Sequence, residues 1–196
     1  MSTTVISGVK TARKTEYEVD PLFPSRWSPR AFSGEPIAQD QLMRLFEAAR
    51  WAPSSYNNQP WRFVYGRQGT PAWDTLFALL NEHNQSWAGQ AAALLVIASK
   101  RTFENGKTCR THSFDAGSAW MSLALQAWMD GWVAHGMEGF DYDRAQQTLR
   151  LGDDYAIEAM AAIGRPGSKE KLRKALQAKE FPSDRKPLRE IASEAA

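Results

Sequence analysis

The chain has 196 residues, 43% of them hydrophobic and 23% charged, the balance of a folded globular protein with a substantial core. Its 24 basic and 22 acidic side chains leave a net charge of +2, which gives no support for a nucleic-acid or membrane-surface partner. One cysteine, Cys109, excludes an internal disulfide or multi-thiolate metal site, and the three histidines (His83, His112, His135) lack metal-ligand spacing.

Residues 1–20 are polar, show no signal-peptide core, and read as a loosely ordered lead-in. Leu42, Leu45, Phe46 and Ala49 recur at helical spacing and predict an amphipathic helix over Gln39–Trp51, stopped before Pro53. Trp61–Gly66 reads as a strand and Ala72–Leu80 as a helix with Trp73, Leu76, Phe77 and Leu80 on one face. Ala91–Ser99 is a short apolar run ending in Lys100-Arg101, which fits a buried strand and is too short to span a bilayer. Asp115–Asp130 has almost no polar face and predicts a helix buried on all sides, under a sheet or at a subunit interface. Gly131–Gly136 and Ala159–Gly164 are further strands, and Asp141–Leu151 and Ser168–Ala178 further helices. Pro182 and Pro187 make Phe181–Ile191 an extended arm. Without repeats or long linkers, residues 21–196 are expected to form one α+β domain, a small mixed or mainly antiparallel sheet packed between helices. A cytoplasmic, reduced-thiol protein is the expected setting.

Several familiar chemistries are missing. There is no G-x-G-x-x-G after a strand and no G-x-S-x-G. Gly106-Lys107-Thr108 lacks the upstream glycine of a P-loop, since Arg101 stands there, and Cys109 near His112 reads as incidental.

Four segments remain. Pro53-Ser54-Ser55-Tyr56-Asn57-Asn58-Gln59-Pro60 offers neutral hydrogen-bonding groups on a proline-stiffened connection, which suits a planar polar heterocycle better than a metal or bare phosphate. Arg26-Trp27-Ser28-Pro29-Arg30 is a compact cationic cluster of the kind that grips phosphate oxygens; its plain alternative is a solvated basic loop. Glu138-Gly139 lies between a strand and a helix, where a backbone can approach a ligand or simply turn. Gly164-Arg165-Pro166 with Asp184–Leu188 is either a ligand-gripping arm or a charged tail.

In this order and spacing, the four segments resemble the nitroreductase family of FMN-dependent NAD(P)H oxidoreductases from about Arg26 to Leu188. The resemblance implies a nitroreductase-like dimeric fold with an extended C-terminal arm and FMN at the subunit interface. It implies that Arg26 and Ser28 hold the FMN phosphate and ribityl chain, with Trp27 where relatives often carry a basic residue, and that Arg30 approaches the flavin N1–O2 edge. Pro53, Ser54, Ser55 and Asn57 would reach the isoalloxazine from the neighbouring subunit, and Asn84 would bond its pyrimidine. The Glu138-Gly139 backbone would lie beside N5, and Arg185 would grip phosphate. Trp87 stands where some members place a lysine. Phe114, Trp87 and Tyr142 are candidate pocket residues, and Arg101–Phe114 the candidate substrate loop.

The implied reaction passes hydride from NADH or NADPH to flavin, then to a flat acceptor such as a nitroaromatic, quinone or enone. The flavin carries the chemistry, so no catalytic acid–base pair is expected. A flavin-fragmenting enzyme of the same superfamily, a non-catalytic flavin-storage protein and a helical interaction module are the alternatives.

Overall fold

The computed structural model describes residues 13–195; the first part of the expected lead-in, residues 1–12, lies outside them. Its elements are α1 (Leu22–Ser25), α2 (Gln39–Arg50), β1 (Trp61–Arg67), α3 (Pro71–Phe77), α4 (Glu82–Ala88), β2 (Ala93–Lys100), α5 (His112–Met129), β3 (Val133–Met137), α6 (Tyr142–Leu149), β4 (Tyr155–Gly164) and α7 (Lys174–Gln177). The four strands form one antiparallel sheet in the order β1-β2-β4-β3.

Alternation along the strands separates two cores. Leu94, Val96, Met160, Ala162 and Val133 point to a layer with Trp73 and Leu76 of α3, Trp87 and Ala88 of α4 and Ala145 of α6. Leu95, Ile97, Ala161 and Ile163 point to the opposite layer, against Leu42, Leu45 and Ala49 of α2 and Ala116, Ala119 and Leu123 of α5. The sheet is therefore covered on both faces, as the sequence predicts, and it is wholly antiparallel rather than mixed.

Four expectations change. The helix read over Ser168–Ala178 is broken into a turn at Lys169–Lys171 and the single turn α7, with Leu172 extended between them. The break lets Leu172 and Leu176 both enter the core, and the Gln177 amide caps the freed carbonyls of Glu170 and Leu172. The helix read to Leu80 stops at Phe77, and a new helix α4 starts at the Asn81 cap, whose Oδ1 accepts Asn84 N–H at 2.9 Å. Strand β4 begins four residues before the predicted Ala159. Finally, α5 lies under the sheet but is not buried all round: Phe114 (79% exposed), Gly117 and Met121 form an open stripe at helical spacing.

The segment from Arg26 to Ser33 matters most for function. Phe32 bridges Pro166, Ser33 N–H donates to Arg165 O at 3.0 Å, and Gly167 N–H donates to Ala31 O at 2.8 Å. Glycine is required at that contact. A Cβ on Gly167 would lie 2.4 Å from the Phe32 carbonyl carbon and oxygen. Gly167→Ala should therefore destabilise the fold by about 1–3 kcal/mol through overpacking, read as a lower urea midpoint at unchanged slope.

Candidate functional site

A cavity of about 300 Å³ opens beside this segment, lined by Arg26, Trp27, Ser28 and Arg30 together with His135 and Arg185. Arg13, Lys179, Phe181 and Ser183 complete its wall. Five side chains of one sign thus converge on one concavity. The physical consequence appears at Arg26, whose guanidinium is pushed below its ordinary value by burial and then by the charges of Arg13 and Arg185. Arg13 is lowered in the same way, by burial and then by Arg185, with Asp184 acting against them. An anion with several acceptor oxygens would relieve that repulsion. Arg26 Nη1 also reaches Ser28 Oγ at 3.4 Å, so the hydroxyl and the guanidinium face a common space.

His135 of β3 was not a predicted site residue, yet it joins this wall. Its Nδ1 lies 3.1 Å from Pro29 O, and its ring meets Trp87 with centroids 4.6 Å apart. Burial, then the nearby charge of Arg30, pushes it down to about 4, although the carbonyls of Pro29 and Ser28 pull the other way. The ring is neutral near pH 7, donates from Nδ1 to the carbonyl, and adds no charge to a crowded cationic site.

Asn84 and Glu138-Gly139 form a second group. Asn84 Nδ2 donates to Gly139 O at 3.0 Å, its Oδ1 accepts Trp87 Nε1–H at 3.2 Å, and Asn81 N–H donates to Gly139 O at 3.0 Å. A Cβ on Gly139 would come within 2.5 Å of Asn81 Nδ2 and 2.8 Å of Asn84 Nδ2. The glycine is needed there for this packing, which locks the turn after β3 onto α4. Trp87 is core, only 4% exposed.

The loop with Pro53, Ser54, Ser55 and Asn57 does not line the cavity of its own chain. It stands at the opposite layer, tied to α5 by Ser55 N–H donating to the buried Asp115 carboxylate at 3.1 Å. Tyr56, Asn57 and Gln59 hold left-handed φ values of 50°, 54° and 47°, a concentration of strained non-glycine backbone. Tyr56 is 94% exposed at its tip and meets Phe103 edge-on, while Asn58 Nδ2 donates to Thr102 O at 3.4 Å. The 101–111 loop thus buttresses this one.

Cys109 is fully buried and Sγ faces Thr111 Oγ1, not His112. His112 Nδ1 instead lies 2.7 Å from Ser99 Oγ, which also bonds Glu158, the residue that the β2–β4 bulge leaves unmatched. Both partners sit at the same ring nitrogen and Ser99 is fully buried, so this is not a nucleophile triad. A second cavity, about 340 Å³, lies between Arg101, Tyr142, Asp153 and Tyr155, and none of the predicted cofactor residues line it. Tyr142 there is raised by burial first and by Glu138 and Glu158 next.

Comparison with known proteins matches these features to a family. The model of the nitroreductase family matches residues 24–70, the stretch that holds both the arginine segment and the strained loop. A solved structure described as an oxidoreductase containing FMN is 45% identical, with a TM-score of 0.92 over 95% of this chain and 96% of its own. The chain belongs to the nitroreductase family. An NADH dehydrogenase of Thermus thermophilus is 28% identical across 85% of this chain and 90% of its own length. A 5,6-dimethylbenzimidazole synthase of Rhodospirillum rubrum is 46% identical, over only 24% of this chain and 22% of its own.

Within this nitroreductase fold, His135 predicts a pH dependence. The unfolded chain takes up a proton near the ordinary value of 6.5, whereas the folded ring resists until about 4. Its contribution to stability is intact above that upper value and is lost as the pH falls through the window, by about 3 kcal/mol in all. His135→Asn should flatten this part of the profile, measured by urea unfolding at neutral pH and at the bottom of the window.

Proposed function

We propose that this nitroreductase uses FMN to pass hydride from NADH or NADPH to a flat acceptor such as a nitroaromatic, a quinone or an enone. The observation that carries the reading is the convergence of Arg26, Arg185 and Arg13 on one cavity, where burial and then the neighbouring charges lower Arg26 and Arg13. A phosphate monoester dianion fits that donor set. At about 300 Å³ the cavity is at the small end of ligand sites, enough for a phosphate and its chain rather than a whole flavin. The FMN content of the 45%-identical oxidoreductase supports the same cofactor.

When bound, FMN supplies hydride acceptance and donation at N5. The chain supplies the rest. Arg26, Ser28 and Arg185 would hold the phosphate, with Trp27 forming the adjoining wall. Arg30 would present a fixed cation to the pyrimidine edge, and Asn84 would fix the turn whose Glu138-Gly139 backbone would lie beside N5. His135, neutral, would hold Pro29 and so the arginine segment. Among the described residues no carboxylate lines this cavity, so none there would repel a bound phosphate dianion.

The reading needs a second copy of the chain. Pro53, Ser54, Ser55 and Asn57 stand away from their own cavity, on a strained and exposed loop anchored to α5. The open Phe114–Gly117–Met121 stripe lies on that same helix. A homodimer formed across α5 would cover the stripe and carry each loop to the partner's cavity. The short match to dimethylbenzimidazole synthase favours, as the second reading, oxygen-dependent fragmentation of the flavin itself.

Reconstitution with FMN, followed by anaerobic NADH or NADPH, tests the proposal. Retained flavin absorbance that bleaches on addition and returns with a quinone is the expected result. Absorbance that does not bleach, with dimethylbenzimidazole appearing when reduced flavin meets oxygen, would favour fragmentation. Arg26→Ala should weaken FMN binding by about 1.5–3 kcal/mol, the scale of a charge-assisted hydrogen bond, in a fluorescence titration.

A further inference from the structure

Arg30 is held by a carboxylate from the far end of the chain. Glu180 follows α7, and its Oε1 accepts Arg30 N–H at 2.6 Å and Ala31 N–H at 2.8 Å. The Glu180 side chain is only 3% exposed. Its other oxygen, Oε2, is buried without a hydrogen bond and lies 3.8 Å from Arg30 Nη1. A buried carboxylate with one oxygen unsatisfied is costly unless a fixed positive charge offsets it, and the Arg30 guanidinium is the cation paired with it. Lys179 and Phe181 on either side line the cavity, whereas Glu180 does not.

We infer that Glu180 is a positioning residue that fixes Arg30 at the flavin pyrimidine edge and offsets part of its charge there, so setting the preference of the site for reduced over oxidised FMN. The inference rests on the FMN reading above and deepens it. The backbone bonds orient the segment, because two successive N–H groups donated to one oxygen fix the peptide planes on either side of Arg30. The ion pair sets the field. Reduced flavin carries more negative charge at its pyrimidine edge than oxidised flavin, so an uncompensated Arg30 would hold the reduced form more tightly. Glu180 moderates that pull. A site with four further cations on its walls has positive charge in excess, and an acid turned away from the ligand moderates it without displacing any phosphate contact.

Glutamine separates the two roles, since its amide oxygen still accepts both N–H groups while the charge is gone. The experiment is the two-electron midpoint potential of FMN bound to wild-type protein and to Glu180→Gln, measured against reference dyes beside a fluorescence titration of FMN. Glu180→Gln should bind oxidised FMN close to the wild-type affinity and favour reduced flavin by about tenfold, a rise of about 30 mV. Glu180→Ala, which also releases the backbone, should lose FMN affinity. An unmoved potential in Glu180→Gln with FMN fully bound overturns the inference. Combining Glu180→Gln with Arg30→Gln leaves neither partner charged and should bring the potential below the wild-type value, because the cation lies nearer the flavin than the acid; a potential at or above wild type with FMN bound overturns the route through Arg30, and this comparison stands if the single variant does not fold. A wild-type protein that takes up no FMN instead removes the FMN reading, and the inference with it, a result plainly different from bound flavin with an unmoved potential.

Discussion

A four-stranded sheet covered by helices on both faces has no open face on which to build a site, and this constraint decides where chemistry occurs. Only the margins are available. The β3 side is one: the segment before α2 crosses there, held by His135 of β3 and by the strand-like contact of Phe32 with Pro166. This segment also occupies backbone that an edge region would otherwise present to other chains. The arginines are therefore fixed by the need to close the sheet as much as by any ligand. Glycines at 164 and 167, where a side chain would collide with Phe32, permit that close approach.

Electrostatics at this margin follow from the same packing. Arg26 and Arg30 project from one short stretch, Arg185 comes from the C-terminal arm and Arg13 from the N-terminal side, where it donates to the carbonyls of Pro24 and Arg26. Bringing like charges together costs stability, and it persists only where the fold fixes them for another reason or a ligand offsets them. Besides Asp184 beside Arg13, two features among the described residues reduce the cost. His135 stays neutral, and Glu180 faces Arg30 from behind the lining.

Legibility in the sequence tracked how local each signal is. Strand β2 reads directly because Ala93–Ser99 is apolar and buried on both faces, and α2 reads from its spacing. The first half of β4 does not: Tyr155-Ala156-Ile157-Glu158 lacks a run of strand-formers, and its pairing is imposed by β2. Helix α4 is signalled only by Asn81 ahead of Glu82, a single cap with no long apolar repeat behind it. In the candidate site, Arg26, Ser28 and Arg30 stand within five residues and are visible as a cluster. His135 and Glu180 are not, because their bonds to Pro29 and Arg30 span 106 and 150 residues. No local pattern encodes such a contact; only the topology brings the partners together.

The strained loop after α2 argues in the same direction from the other side of the sheet. Three non-glycine residues at positive φ within four positions cost of order 1–3 kcal/mol each, so the surroundings must over-determine this conformation. They do so in part: Ser54 O and Ser55 O accept the N–H groups of Asn57 and Asn58, Ser54 Oγ accepts Gln59 N–H, and Asp115 holds Ser55. Yet these bonds rigidify a tip whose Tyr56 ring lies almost wholly in solvent, which gains the single chain no burial. Rigidity at an exposed tip returns its cost only when the tip meets a surface with its conformation already set, since less entropy is then lost on contact. The exposed Phe114–Gly117–Met121 stripe lies on the helix that anchors the loop, so a partner that covered the stripe would also bring a surface to the tip. Strain, anchoring and exposed apolar surface thus all fit the proposed homodimer, in which the loop would be preorganised for a second copy of the chain.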